Sequence, residues 1–135
     1  MLTKNYDTRK IFIGDNLYQS GEFTNSGGSP VTLERGLLIG RVAVSGKIIA
    51  SVSTATDGSV DAFGVLGDDR TVAPGETITV TYCVAGRVDE AMVKLTGAET
   101  LDTVVPDKGR YRDILQRNSQ IVLIQGTELT KFDNQ

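Results

Sequence analysis

Two places in this sequence have the residue types that nucleophilic catalysis uses. Ser45 stands two positions before Lys47, the composition of a serine–lysine dyad, and Cys83 could supply a thiolate. The chain contains no histidine, however, so neither site has the imidazole base of a Ser-His-Asp or Cys-His arrangement. Ser45 and Gly46 also have the composition of a hairpin turn, and no basic residue adjoins Cys83 to lower its pKa. We therefore interpret Ser45 and Lys47 as turn residues and Cys83 as a buried apolar residue, and we predict no catalytic residue.

Carboxylates provide one spacing that is typical of a metal site. Asp57 and Asp61 belong to a stretch with oxygen ligands at alternate positions, and Asp68 falls at the twelfth place, where a calcium loop has a carboxylate. The sixth place, where such a loop requires glycine, is Ala62. A glycine pattern at residues 64–67 lacks the Lys-Ser/Thr pair and the long helix of a phosphate loop. We predict no metal site and no cofactor, and we expect that the chain is not an enzyme.

The composition argues against two classes of partner. The chain has 14 basic and 17 acidic residues, a net charge of −3. Because an acidic surface does not attract phosphate backbones or anionic lipids, we predict no nucleic-acid partner and no membrane partner. The sequence has no run of about 20 apolar residues, and residues 1–10 contain no hydrophobic signal core. These features predict a protein that is made in the cytoplasm.

From residue 31 onward the apolar residues follow the pattern of β-strands. The clearest strand is residues 76–84, where an apolar or aromatic residue recurs at every second position from Ile78 to Val84. Ser45-Gly46 predicts a hairpin, and Pro74-Gly75 predicts a turn with proline at its second position and glycine at its third. The sequence thus predicts a mainly β, β-rich α+β fold.

Helix is expected in only two short stretches. Asp89 is a candidate N-cap for residues 90–95, which Gly97 ends. Within residues 110–117, Tyr111, Ile114 and Leu115 have the i, i+3, i+4 spacing of a buried helix face.

Residues 1–30 differ from the remainder and predict an N-terminal arm, which leaves residues 31–135 as the main domain. The arm contains one apolar triplet, Ile11, Phe12 and Ile13, followed by repeated glycines and Pro30. Such a stretch cannot bury enough apolar surface to become ordered by itself. Three possibilities are open: a disordered arm, an arm that adds the triplet as a strand to a partner's sheet, and a segment that pairs with its own domain.

Several short segments, in a fixed order, resemble one protein family. They are Val31-Thr32-Leu33-x-x-Gly36-x-Leu38, Ala55-Thr56-Asp57-Gly58, Gly64-Val65-Leu66, Val84-x-Gly86-x-Val88-Asp89-x-Ala91, and Ile121-Val122-Leu123 after a helix. In their order and spacing these segments resemble the lambda D-like head decoration protein family of tailed bacteriophages.

The resemblance implies a small β-barrel or β-tulip-like domain with one or two short helices and an extended N-terminal arm. It also implies a homotrimer that is made in the host cytoplasm and binds the major capsid protein on the outer surface of the virion. Such trimers occupy threefold and quasi-threefold sites of the expanded icosahedral head and cement the shell against DNA pressure. In this chain, Ile11, Phe12 and Ile13 are the candidate capsid-binding residues, through addition of a strand to a capsid-protein sheet.

Two other classes of function stay open at this level. A different β-rich virion component, such as a tail or fibre protein or a surface-binding module, fits the same composition. A carbohydrate-binding module is less favoured, because the chain has no tryptophan and only four tyrosines to stack on sugar rings. An enzyme would need a concave pocket with converging carboxylates and a strongly shifted pKa.

Overall fold

The computed structural model of the chain describes residues 12–125, and for residues 12–14 it describes the backbone alone. These residues form ten strands, one 3₁₀ helix and one α-helix. The strands are β1 (Phe12–Thr24), β2 (Val31–Leu33), β3 (Leu38–Arg41), β4 (Ile48–Ala50), β5 (Gly64–Leu66), β6 (Arg70–Val72), β7 (Thr77–Asp89), β8 (Val104–Val105), β9 (Gly109–Arg110) and β10 (Gln120–Ile124). The 3₁₀ helix is Glu90–Met92 and the α-helix, α1, is Tyr111–Asn118.

One sheet of six strands organises the domain around β7. Its order is β1-β7-β5-β3-β4, and β10 pairs with the second half of β7 in parallel. The remaining strands form two-stranded sheets, β2 with β6 and β8 with β9. The predicted mainly β, β-rich α+β fold is confirmed.

The main sheet is not closed into a barrel. Its edge strands β1 and β4 approach each other, but they are joined through side chains and not through a backbone ladder. The Lys47 ammonium donates to Thr24 Oγ1 at 2.7 Å, and a Cβ at Gly21 would lie only 2.7 Å from the Ile48 side chain. The barrel expectation therefore needs correction to a curved, open sheet, in which the short β4 contacts β1 without pairing with it.

The sheet has an apolar cluster on each face, because successive side chains of β7 point to opposite sides. Val80 and Tyr82 contribute to one cluster with Phe23 of β1, whereas Cys83 contributes to the other. The predicted alternation over residues 76–84 is thus confirmed. α1 covers the second cluster with a buried face that consists of Tyr111, Ile114 and Leu115.

The two predicted helices are observed with different lengths. α1 begins and ends within one residue of the predicted helix and presents the predicted buried face. The Asp89 side chain accepts from the Ala91 N–H as an N-cap does, but only Glu90–Met92 is helical, because Val93 already has an extended backbone. Within residues 12–125 no helix is long and apolar enough to cross a bilayer.

Both predicted turns are confirmed. Gly46 has a φ of 75° in the β3–β4 hairpin, where its N–H donates to the Val42 carbonyl. Gly75 has a φ of 79°, and the Glu76 N–H donates to the Ala73 carbonyl, which closes the proline–glycine turn.

Strand β1 lies inside the region that the sequence predicts to be an arm. It pairs antiparallel with β7 from Phe12 opposite Val88 to Thr24 opposite Thr77. Of the three possibilities that the sequence leaves open, pairing with its own domain is the one seen for Phe12–Thr24; order upon binding a partner stays a prediction.

Candidate functional site

The residues of the serine–lysine pair serve the hairpin turn. Ser45 Oγ accepts from the Lys47 backbone N–H at 3.2 Å, while the Lys47 ammonium reaches Thr24 on β1. The ammonium thus links the β3–β4 hairpin to the edge of β1. The interpretation of Ser45 and Lys47 as turn residues is confirmed.

The carboxylates with calcium-like spacing have separate partners. Asp57 Oδ1 accepts from the Ser59 hydroxyl at 2.6 Å and from the Ser59 N–H at 3.0 Å, and these hydrogen bonds lower the pKa of Asp57. Asp61 pairs with the Lys108 ammonium at 3.0 Å. Among residues 12–125 no group of three or more His, Cys, Asp and Glu side chains lies close enough together to hold a metal ion.

An acidic depression of about 260 Å³ lies between the 3₁₀ helix and α1. At its wall the Arg112 guanidinium donates to Glu90 Oε2 and to Asp102 Oδ1, each at 2.8 Å. A third carboxylate, Glu99, accepts from the Ser53 hydroxyl and from the Ser53 N–H. Because these carboxylates bond to groups of the same chain, the depression is an ion-paired corner that holds α1 against the preceding loop.

The ion pairs of this corner make the unfolding free energy depend on pH in the acid range. The hydrogen bond from Arg112, with the nearby Arg112 and Arg110 charges, holds the pKa of Asp102 below its ordinary value of 3.8. A lowered carboxyl pKa adds stability above 3.8, and that stability is lost as the pH falls through the folded-state pKa. We expect the Asp102→Asn variant to lose less stability between pH 4 and pH 2 than the native chain. Urea unfolding at several pH values measures this, with Asp68→Asn as the control; equal acid sensitivity of Asp102→Asn and the native chain would contradict the assignment.

Cys83 lies beneath an irregular part of the β1–β7 pairing. The register shifts between Ile13 and Leu17, where Gly86 on β7 takes a φ of 115°. Asn16 fills the space above this glycine; its amide donates to the Arg87 carbonyl at 3.0 Å and to Cys83 Sγ at 3.5 Å. Cys83 is fully buried, as predicted, and burial raises the pKa of its thiol.

We expect Cys83 to react with a thiol reagent such as Ellman's reagent at least about 100-fold more slowly in the folded protein than in urea. Burial limits access, and the raised pKa reduces the thiolate fraction. Asn16→Ala should increase the native rate by removing part of the cover. A native rate equal to the rate in urea would show that β1 does not protect the thiol.

The candidate functional surface is the exposed edge of β1, residues 15–20, which we call the β1 edge. It presents Leu17, which is 64% exposed, and Tyr18, which is 44% exposed. The Tyr18 ring extends across β7, and its Cε2 atom would lie 3.5 Å from a Cβ built at Gly67. Partial burial of the ring is the main cause that raises the pKa of Tyr18 to about 12. Apolar and aromatic groups beside an open strand are typical of protein-binding surfaces.

The β1 edge differs from the other long edge of the sheet. On β10, the Ile121 N–H donates to the Ser119 hydroxyl and the Leu123 N–H donates to Gln116 Oε1, so side chains cover that edge. Residues 15–24 contain neither lysine nor proline, the residues that commonly protect an edge strand from pairing. The β1 edge is therefore the better candidate for a contact with another protein.

Two residues of the predicted capsid-binding triplet, Phe12 and Ile13, lie at the start of β1. Ile11 lies outside the described residues, and for Phe12 and Ile13 the backbone alone is described. That backbone pairs with Val88 and Arg87 of β7. Phe12 and Ile13 thus belong to the edge strand itself. Local sequence pattern does not reveal this strand, because Phe23 is the one buried apolar side chain among residues 15–24.

The segments that resemble head decoration proteins occupy distinct parts of the fold. Val31-Thr32-Leu33 is β2, Gly64-Val65-Leu66 is β5, and Ile121-Val122-Leu123 is the centre of β10, directly after α1. A scan against protein-family models found no match for the chain, and a search of the curated proteins found no significant match. The function of the chain is therefore a proposal that depends on its own residues.

Proposed function

We propose that this chain is a capsid decoration protein of a tailed bacteriophage. In this proposal, homotrimers bind the major capsid protein on the outer surface of the expanded head, at threefold and quasi-threefold sites, and stabilise the shell against DNA pressure. The protein acts as a structural component of the virion and not as an enzyme.

The observation that carries the proposal is the position of the N-terminal segment. The segment enters the domain as the edge strand β1, in which the Phe12 and Ile13 backbones pair with β7 and with no second strand among the described residues. A short segment at a sheet margin can pair with a neighbouring protein while the domain stays folded. The exposed Leu17 and Tyr18 extend the same margin with apolar surface.

The internal bonding of the polar groups also supports a structural role. The carboxylates of Asp57, Asp61 and Asp102 bond to neighbours within the chain. The lysine of the serine–lysine pair bonds to a threonine, and the thiol is buried. These groups stabilise the fold, which leaves the exposed strand edge as the feature that suits a binding protein.

The proposed mechanism depends on many weak contacts and on selection of one capsid state. A trimer that bridges several capsid subunits gains affinity from simultaneous attachment, commonly by a factor of about 10² to 10⁴. If the trimer binds the expanded lattice and not the compact one, binding stabilises the expanded state by mass action. An arm segment that becomes ordered at the capsid loses conformational entropy, but it can contact a large surface along the boundary between two capsid subunits.

Sedimentation with purified heads tests this function. We expect the protein to pellet with expanded, undecorated heads assembled from the cognate capsid protein, and to remain in the supernatant with unexpanded heads. Saturation should occur at three chains for each threefold site. If folded protein fails to pellet with expanded heads, the decoration proposal is wrong, and a tail, fibre or surface-binding role becomes the better explanation.

A further inference from the structure

The side chains of β1 bury little surface in the domain to which the strand belongs. Among residues 15–24, Phe23 is the one apolar side chain that is buried, while Leu17 and Tyr18 are exposed. The contact with β4 consists of side-chain contacts such as Lys47 with Thr24. The strand is thus held chiefly by its ladder with β7, and a ladder can be rebuilt with equal bonds on another copy of β7.

Asn16, in the irregular stretch between the paired residues Ile13 and Leu17, is poorly satisfied. The Asn16 amide N–H groups donate to Arg87 and Cys83, but Asn16 Oδ1 is buried without a hydrogen-bond donor among the described residues. An unsatisfied buried acceptor lowers the cost of detaching β1 from β7, the step that exchange requires. The two register shifts on either side of Leu17 further interrupt the pairing.

The connection between β1 and the rest of the domain has the composition of a hinge. Residues 26–30 are all exposed and include Gly27, Gly28 and Pro30. A Cβ at Gly28 would meet no atom within 4 Å, so the surrounding structure does not constrain this part of the segment. Five residues span at most about 17 Å when extended, which is enough to carry a strand to an adjacent molecule.

Asn25 is the anchor that β1 would carry with it. Its side chain is buried and donates to the Val72 carbonyl at 3.0 Å and to the Ser29 carbonyl at 2.8 Å. Its backbone also bonds to Glu76 and Gly75. The contacts with Val72, Glu76 and Gly75 can be remade on a second copy, and those with the hinge are lost.

We propose that β1 exchanges between copies of this chain, so that β1 of one molecule occupies the β7 groove of another. The groove is complementary to its own strand: Gly86 admits Asn16, and Gly21 of the incoming strand fits against Ile48 and Tyr82. The occupant is therefore a second copy of the chain. Exchange of strands between identical chains needs a hinge and little new contact surface, and it links the subunits of an oligomer. The inference rests on the proposed homotrimer, whose subunits would exchange their β1 strands. The exchange is measured without heads, so its failure would not by itself contradict the decoration proposal.

Disulfide trapping tests the exchange. Ser20 and Thr81 are directly opposite in the β1–β7 ladder, and opposite residues in an antiparallel pair have Cα atoms about 4.5–5.5 Å apart, within disulfide range. In a Cys83→Ala background, Ser20→Cys is placed in one tagged chain and Thr81→Cys in another. The chains are mixed, unfolded together, refolded and oxidised. A disulfide between the two tagged chains then forms when β1 of one lies on β7 of the other.

We expect the mixed disulfide to exceed by about 100-fold the product of a control pair, Ser20→Cys with Thr54→Cys. A seated strand holds the two thiols at an effective concentration in the mM range, against the μM concentration of free chains. Thr54 is exposed and lies outside the β1–β7 ladder, so its product measures random collision. Deletion of Gly27 and Gly28 should increase the mixed product, because a shortened hinge strains the closed form.

The double variant Ser20→Cys/Thr81→Cys serves as the positive control for the pairing geometry. It should form a disulfide within one chain or between chains, according to where β1 lies. If the double variant links within one chain while the mixed chains give no more product than the Thr54 control, exchange does not occur and the proposal is wrong. Light scattering of the trapped product gives the number of chains that are joined.

Discussion

The Gly40→Ala variant is expected to lose at least about 3 kcal/mol of unfolding free energy, at the top of the usual range for overpacking a core. Gly40 lies in β3, where the segment that contains the buried Ser59 crosses the sheet. A Cβ at position 40 would lie 1.9 Å from the Ser59 carbonyl oxygen and 2.7 Å from its carbonyl carbon. Because both atoms belong to the backbone, a rotamer change cannot relieve the clash, and one of the two segments must move.

The crossing segment is held in place by buried hydrogen bonds, which is why the clash should be costly. Ser51 Oγ donates to the Ser59 carbonyl at 2.8 Å and lies 3.1 Å from the Tyr111 hydroxyl of α1. Displacement of Ser59 would therefore disturb the attachment of α1 as well. Urea unfolding followed by circular dichroism measures the loss, with Gly28→Ala as the matched control. Gly28 has open space at its Cβ position, so its variant should stay within about 0.5 kcal/mol of the native chain.

Equal stability of the Gly40 and Gly28 variants would contradict the close approach of β3 and the segment around Ser59. If Gly40→Ala does not fold at all while Gly28→Ala folds normally, that outcome also agrees with the predicted clash.

Deletion of residues 1–14 is expected to abolish detectable binding to expanded heads, a loss of at least about 100-fold when three arms act together. The deletion removes Ile11, Phe12 and Ile13, the candidate strand for the capsid sheet. The domain should remain folded, because the β1–β7 register pairs from Leu17 to Thr24 are retained. Sedimentation with expanded heads measures binding, and the unfolding midpoint in urea measures whether the fold is intact.

A substitution at an exposed apolar residue outside the N-terminal segment provides the control for this deletion. Val104 on β8 is 65% exposed and lies outside the main sheet, so Val104→Ser should bind heads as the native chain does. If the shortened chain is folded and still decorates heads at native affinity, the N-terminal triplet is not the attachment. The triple variant with Ile11, Phe12 and Ile13 changed to serine separates the loss of these side chains from the loss of chain length.

The sequence predicts the regular parts of this fold because local chemistry determines them. The alternation over residues 76–84, the spacing of Tyr111, Ile114 and Leu115, and the turn at Pro74-Gly75 each depend on neighbouring residues. The burial of Cys83 also follows from its place in an apolar run. These features are found where the sequence predicts them.

Strand β1 shows why local sequence patterns do not predict the other parts of the fold. Among residues 15–24 it has a single buried apolar side chain, so its amphipathic signal is weak. Its ladder forms with residues about 53 to 76 positions further along the chain. In a sequence, glycine usually indicates the end of a strand, but in β1 and β7 two glycines make room for neighbouring side chains. Gly21 admits Ile48, and Gly86 admits Asn16. Pairings over such a distance are decided by tertiary structure and not by local propensity.

The failure of the sheet to close into a barrel has a similar explanation. The order of the strands and the approach of β1 to β4 depend on how far the sheet curves. That curvature depends on contacts such as Gly21 with Ile48, which no local pattern encodes. The ion-paired corner around Arg112 was also missed, because its carboxylates Glu90 and Asp102 are 12 positions apart in the sequence and meet in the fold.

Electron microscopy of expanded heads incubated with the native chain tests the central claim most directly. The decoration proposal predicts a three-lobed density at the threefold and quasi-threefold sites of the expanded shell, with the start of β1 directed towards the capsid surface. Unchanged shells in the presence of folded protein, or density confined to the tail or to other positions, would contradict it.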